Sequence, residues 1–362
     1  MLRRLHLRTT PRYWVIGLAL WLPMIIGEAL RAAAGLRVDP FVHDMSLHVR
    51  FLFALPVLMI AEQLLETTTQ SGIRSFYNGR FCAREPVDRI LAHAARLRDS
   101  WLVEAGLLAV GIVGGQLVLW GVFGSTGLFH GGAAIGGWTF PRVWYAAVAL
   151  PLVQFVMFRW LWRWVIWTYV LAKLSRLPLT PISTHPDLAA GLAGLARPVT
   201  GFAGFMLAMS AILSSAFGTQ ILEGGTPLHA VLPGLTTFLV LGSALALVPL
   251  LAFSGLLFRT RRRTLAQYGD FARDYTLRFH EKWLVRPDRL HMLGTPDIQS
   301  LNDLGGAYSV IGRSRVFVFG PRNVLTLWVA GLAPMLPLLA SNLTLDQILN
   351  RIIRTVLGGL PF

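Results

Sequence analysis

The sequence predicts an all-α fold, a polytopic transmembrane helix bundle of about seven spans with its N-terminus inside. Three observations carry that prediction. Of the 362 residues, 54% are hydrophobic and only 14% are charged, and mean hydropathy is +0.56. The apolar residues gather into runs of about twenty, the length that crosses about 30 Å of hydrocarbon at 1.5 Å per residue. The arginines, finally, fall in alternate loops. Lipid gives a bare backbone no hydrogen-bond partner, so runs of this kind must be helices.

In chain order the runs are 14–34, 46–66, 101–123, 143–173, 201–222, 229–258 and 324–341. Arg3, Arg4 and Arg8 precede the first run and Ala32, Ala33 and Ala34 close it, which is signal-peptide chemistry. Its length and the interruption at Glu28 favour a retained helix instead. Translocating positive charge is disfavoured, so arginine-rich loops mark the inside. The N-terminal tail, the loop after the second run (Arg74 to Arg98), the loop after the fourth (Arg176, Arg197) and the loop after the sixth (Arg259 to Arg263) all qualify. The intervening loops hold Arg37, then Arg142, then none. This pattern predicts a bacterial inner membrane location with a cytoplasmic N-terminus and an outside C-terminus.

The predicted organisation is a six-span bundle over 1–258, a cytoplasmic segment over 259–323 and a seventh span with a terminal interfacial helix over 324–362. In the cytoplasmic segment, Tyr268, Phe271, Tyr275, Phe279 and Trp283 share one helical face opposite Arg273, Arg278 and Lys282. Such a face suits anionic lipid headgroups or a groove against the bundle. Residues 86–99 also have helical spacing and are expected to run into the third span. The net charge of +15 does not imply nucleic acid, because the basic residues sit between spans. The expected partner is the lipid bilayer; oligomeric state is open.

Charges within the runs are the most informative feature. Arg159 and Arg163, four residues apart in FRWLWRWVIW, project from one face of the fourth run. A lone arginine at the centre of a span costs about 2.5–3.5 kcal/mol, so the pair should face an acidic partner, water or the bundle interior. Counting inward from the outer end of each span, Arg159 lies about 22–24 Å deep and Arg163 about 28–30 Å; Glu62 comes out at about 24 Å and Glu104 near 25 Å. These four residues form a candidate inner layer, with Glu62 or Glu104 in salt-bridge reach of an arginine. Trp160, Trp162, Trp164 and Trp167 are placed to stack on the guanidinium planes. A second, outer layer would hold Glu28, Arg31, His48 and Arg50.

Other motifs are weaker. Thr184 and Asp187 have capping-box spacing, and His185 and Asp187 offer acid–base groups at an inner entrance. Thr295, Pro296 and Asp297 read as a second helix start. One cysteine, Cys82, excludes an internal disulfide and a paired-cysteine metal site. No metalloprotease, serine-hydrolase, P-loop or dinucleotide motif is present, so neither a metal nor a cofactor is expected.

Two segments, THPDLAAGLAGL at 184–195 and PDIQSLNDLGGAY at 296–308, together with the region from Arg322 onward, resemble a group of uncharacterised bacterial multi-pass inner-membrane proteins. In that group the first segment runs closer to THPDRAGGLGFL. Leu188, Ala190 and Ala193 depart from it, which counts against an anion-cradling turn here. The resemblance implies the architecture and carries no activity. The leading functional expectation is a small-solute or ion transporter or channel, for an anion or a proton, lined by the buried charges. A structural or signalling component acting through 259–323, and a membrane-embedded enzyme using His185 and Asp187, are the alternatives.

Overall fold

In the computed structural model the described residues are 10–36, 44–119, 139–222, 224–285 and 295–340, and among them the chain is helical with no strand. The helices are α1 (Thr10–Ala33), α2 (Met45–Asn78), α3 (Arg84–Arg98), α4 (Trp101–Leu119), α5 (Phe140–Leu174), α6 (Val199–Leu222), α7 (Leu228–Val285) and α8 (Asp297–Arg313). The last, α9, runs as Pro321–Leu332, a 3-10 turn at Ala333–Met335, and Leu336–Ala340. Five of them, α1, α2, α5, α6 and α7, are long and apolar enough to cross a membrane.

The third predicted run passes beyond α4 into residues 120–138, outside the described residues, and the described apolar part of α4 is shorter than a span. The seventh is interrupted by the 3-10 turn at Pro334, where proline lacks the N–H that the α-helical ladder needs. The terminal helix predicted after Thr344 also lies outside the described residues. Residues 86–99 do not run on into the third span: the chain turns at Asp99 and Ser100, so α3 and α4 are separate helices. Conversely, the sixth predicted span does not end at Phe258. Helix α7 continues through a 3-10 stretch at Val248–Phe253, set by Pro249, into the aromatic and basic residues beyond. There it pairs with α8, with Trp283 buried and the Tyr275 hydroxyl donating to the Asp297 carbonyl at 3.0 Å.

Proline also shapes α2 and α5. Pro56 and Pro151 cannot donate to the carbonyl four residues back, and each is preceded by a π turn, Arg50–Ala54 and Tyr145–Ala149. The two helices share the spacing: Arg50 lies six residues before Pro56 and Tyr145 six before Pro151.

Helix α6 is the most buried of the five and packs against α2, α7 and α9. Its small residues allow close approach, the usual solution where apolar helices meet without a hydrophobic driving force. A Cβ built on Gly201 would stand 2.6 Å from the Leu65 Cα, and one on Gly204 2.5 Å from the Ala61 Cβ. Ser214 then ties α6 to α9 by donating to the Pro334 carbonyl at 2.6 Å. Helix α5 packs on α3, α4 and α2, and its tryptophans fasten it to three neighbours. The indole N–H of Trp160 donates to the Leu58 carbonyl at 3.3 Å, that of Trp162 to Leu97 at 3.2 Å and that of Trp164 to Leu245 at 2.7 Å.

Gly201→Ala should therefore cost about 1–3 kcal/mol through overpacking. Gly255→Ala, where a Cβ meets open space, should be neutral or stabilising by up to about 1 kcal/mol. Thermal unfolding of the detergent-solubilised chain reads both, and equal behaviour of the two variants would contradict the close α2–α6 approach.

Candidate functional site

Helices α2 and α5 cross so that one carboxylate meets two guanidiniums. Glu62 ion-pairs with Arg159, and its Oε1 also lies 2.6 Å from Arg163 Nη2. The i,i+4 spacing puts both arginines on the face of α5 that looks at α2. The Glu62 side chain is 13% exposed, Arg163 19% and Arg159 31%. The group carries one positive charge in excess. Helix α5 itself shields Arg159, whose guanidinium lies 5.6 Å from the Phe155 ring centroid. Among the described residues no cation–π contact joins the α5 tryptophans to Arg159 or Arg163; the indoles of Trp160, Trp162 and Trp164 donate to backbone carbonyls.

The predicted layer holds three members rather than four. Glu104 is exposed in the first turn of α4, forms no ion pair among the described residues, and sits where a helix N-terminus favours a carboxylate. In its place the structure brings up residues that depth counting passed over. Arg98, at the end of α3, makes a two-pronged contact with Asp99 (2.7 and 3.1 Å) and lies 3.8 Å from Glu66. The Arg98 hydrogen bond holds the Asp99 carboxyl below its usual range, and the charge of Arg163 acts in the same direction. Arg159, Glu62, Arg163, Asp99, Arg98 and Glu66 thus alternate in sign from the bundle interior to its end. A cavity of about 140 Å³ between α2, α3 and α5 is lined by Glu66, Thr69, Gln70, Arg98 and Arg163.

The residues of the second predicted layer fall in separate pairs toward the other end of α2. Arg31 lies 3.5 Å from Glu28 on α1, His48 Nδ1 accepts from the Trp21 indole at 2.9 Å, and Arg50 hydrogen-bonds the Tyr145 hydroxyl. Glu28 and Arg50 are each only 3% exposed. Arg142 and Tyr145, both buried on α5, belong to the same end of the bundle, and Arg142, expected in a loop, lies within the first turn of the helix. Arg50 and Tyr145 each begin the π turn of its helix. Twelve residues separate Arg50 from Glu62, about 18 Å along the axis. The interval is filled by Phe51, Ala54, Leu55, Leu58, Leu150 and Val153, all essentially inaccessible.

The loop between α5 and α6 does not start a helix at Thr184. Leu188, Ala190 and Gly191 have φ of +58°, +56° and +90°, and this left-handed backbone wraps around Asp187. The Asp187 carboxylate accepts N–H bonds from Ala189 (2.9 Å), Gly191 (3.0 Å) and Ala193 (3.0 Å), with His185 Nδ1 3.0 Å away. Burial alone would raise the Asp187 carboxyl; the three N–H bonds and His185 outweigh it and hold the carboxyl below its ordinary value. His185 is half exposed and, with Asp187, shares no catalytic constellation with Glu62. The turn's amides are already occupied by the protein's own anion. Among the described residues no three His, Cys, Asp or Glu side chains gather into a metal site.

Comparison with protein-family models, curated proteins and solved structures finds no match.

Two outcomes follow from this geometry. Glu62→Gln leaves two guanidiniums facing each other, and should lower stability by about 3 kcal/mol, the low end for a broken buried pair because Arg159 is partly exposed. Adding Arg163→Met should restore part of that loss, read by unfolding in detergent. For Asp187, the folded carboxyl titrates below the unfolded one, so its contribution is complete above the unfolded value and is lost as pH falls through the folded value. Melting temperature should decline below about pH 4, and Asp187→Asn should lower it at neutral pH while flattening that acid limb.

Proposed function

We propose that the protein is a seven-span bacterial inner-membrane protein with a cytoplasmic N-terminus that passes a small anion or a proton by way of the Glu62, Arg159 and Arg163 layer. The observation that carries the reading is the cavity reaching Arg163 from the Arg98 end of the bundle. Leu65, Ile73, Ile166 and Trp167 line that cavity beside Glu66, Arg98 and Arg163, and buried ionisable groups reached by such a cavity are chemistry suited to passing a small anion or relaying a proton. The opposite side is closed by the packed apolar interval up to Arg50 and Tyr145. On this reading the conformation is open inward and sealed outward.

The seven-span topology rests on the five long apolar helices, on α4 and α9 as the third and seventh spans, and on the arginine alternation between them. The resemblance of 184–195 and 296–308 to multi-pass inner-membrane proteins agrees with it. A second reading has its own observation. Beyond Phe258, α7 and α8 expose Phe271, Leu277, Leu284, Val285 and Ile298 on an otherwise basic pair, which suits a signalling or structural component that meets anionic headgroups or a protein partner there.

Thiol labelling separates the readings. In a Cys82→Ser background, Gln70→Cys should react with a membrane-impermeant reagent from the N-terminal side of the membrane only. In proteoliposomes, Arg159→Leu and Arg163→Leu should each reduce anion or proton flux at least tenfold. Unreactive Gln70→Cys together with absent flux in the parent chain would remove the transport reading and leave the structural one. A reporter fused to the C-terminus should be active outside the cytoplasm; a cytoplasmic signal would overturn the topology.

A further inference from the structure

A second cavity, of about 360 Å³, lies on the other side of α2 and is independent of the transport reading. Its lining includes Arg197, Arg315, Ser71, Thr67, Thr200 and Asn323, and no carboxylate. Ser71 is nine residues beyond Glu62 on α2, about 13 Å further toward the arginine-rich end of the bundle.

The charge balance here differs from that of the Glu62 and Arg98 groups, each of which contains a carboxylate. Arg197 Nη1 donates to the Ser71 hydroxyl (2.6 Å) and carbonyl (3.1 Å). Arg315 Nη2 donates to the Asp187 carbonyl at 2.9 Å, and its Nε is buried with no hydrogen-bond partner. Among the described residues neither guanidinium has a carboxylate within ion-pairing distance; the nearby Asp187 carboxylate is enclosed by its own turn. Two cations with neutral partners therefore face one basin. Two helix starts face it as well. Thr200 lies in the first turn of α6 and Asn323 in the first turn of α9, so the positive ends of both helices add to the field. The arrangement is held rigidly, since the Arg315 backbone N–H donates to the Leu188 carbonyl at 2.7 Å and the Asn323 side chain caps Gly320 at 2.9 Å.

We propose that this basin binds a phosphate group, with Arg197 and Arg315 as its charged ligands and Thr200 and Asn323 as neutral donors. Guanidinium forks match phosphate oxygens in pairs, and the volume exceeds by far the roughly 30 Å³ of one water. The phosphate belongs either to a soluble phosphoester or to the headgroup of an anionic lipid, since both present the same oxygens.

The test uses the full chain purified in detergent, titrated with inorganic phosphate against chloride of equal ionic strength, and separately with short-chain phosphatidylglycerol against phosphatidylcholine. Saturable binding of phosphate assigns a soluble ligand; saturable binding of phosphatidylglycerol alone assigns a lipid headgroup. In either case Arg197→Gln should weaken binding about tenfold or more, and Arg315→Lys should weaken it while keeping the charge. Arg322→Gln, on α9 but outside the basin, should leave it unchanged. Among the described residues the Arg197 side chain is tied only to Ser71, so its variant carries the test even if Arg315→Lys fails to fold. No binding of either probe, binding indifferent to Arg197→Gln, or an equal loss in Arg322→Gln would overturn the proposal.

Discussion

Desolvation governs this molecule. Once a polar group sits on an apolar helix packed among others, the chain itself must supply its partner, because neither lipid nor the protein interior will. Two arginine groups answer that constraint in different ways: Arg159 and Arg163 share one carboxylate, and Arg50 takes a phenol hydroxyl on the facing helix. Arg197, which is exposed, and Arg315 have hydroxyl and carbonyl oxygens as partners instead. The helix crossings follow from these pairings as much as from apolar packing: α2 must present Glu62 and Arg50 to the same side of α5.

Much of this was legible in the sequence, and the losses have identifiable causes. Long apolar runs and the i,i+4 arginines gave the helical class and the shared face, and depth counting placed Glu62 opposite Arg159. Depth, however, says nothing about rotation around the helix axis, and Glu104 is exposed in the first turn of α4, with no ion pair among the described residues. The tryptophans depart from expectation for a separate reason. An indole N–H removed from water needs an acceptor, which a backbone carbonyl on a neighbouring helix supplies here, and that bond, not the guanidinium, fixes where the ring sits. Arg142 was hidden because no composition signal marks where α5 begins; it lies two residues into the helix, next to Pro141.

The Asp187 turn illustrates a limit of motif spacing. Threonine and aspartate three apart predict a helix start, yet the helix requires right-handed backbone where Leu188 and Ala190 are left-handed. Three amide bonds to a single carboxylate, each worth roughly 1.5–3 kcal/mol to a charged acceptor, exceed the strain of about 1–3 kcal/mol at each of two such residues. Glycine at 190 would remove about half of that strain. The consequence reaches beyond the turn, because the carbonyls of Asp187 and Leu188 are turned outward by this same backbone and hold Arg315.

The bundle is also unequal end to end, and this bears on what can move. Cavities lie toward both ends, one of about 380 Å³ beside Met45, Val49 and Phe53, and alternating charge marks the Arg98 end, while the stretch between Arg50 and Glu62 is tightly packed against α5. Any passage through the whole bundle must part Phe51 and Leu55 from Leu150 and Val153. A regular α-helix resists this, since bending breaks its ladder of hydrogen bonds. In α2 and α5 that ladder is already interrupted, by π turns one residue or less from the apolar interval. Both turns begin at the residues joined by the Arg50–Tyr145 hydrogen bond. The Arg50–Tyr145 bond and the apolar interval therefore adjoin the same two irregular turns, so parting the helices at Phe51 would also loosen the pair that fixes those turns against each other.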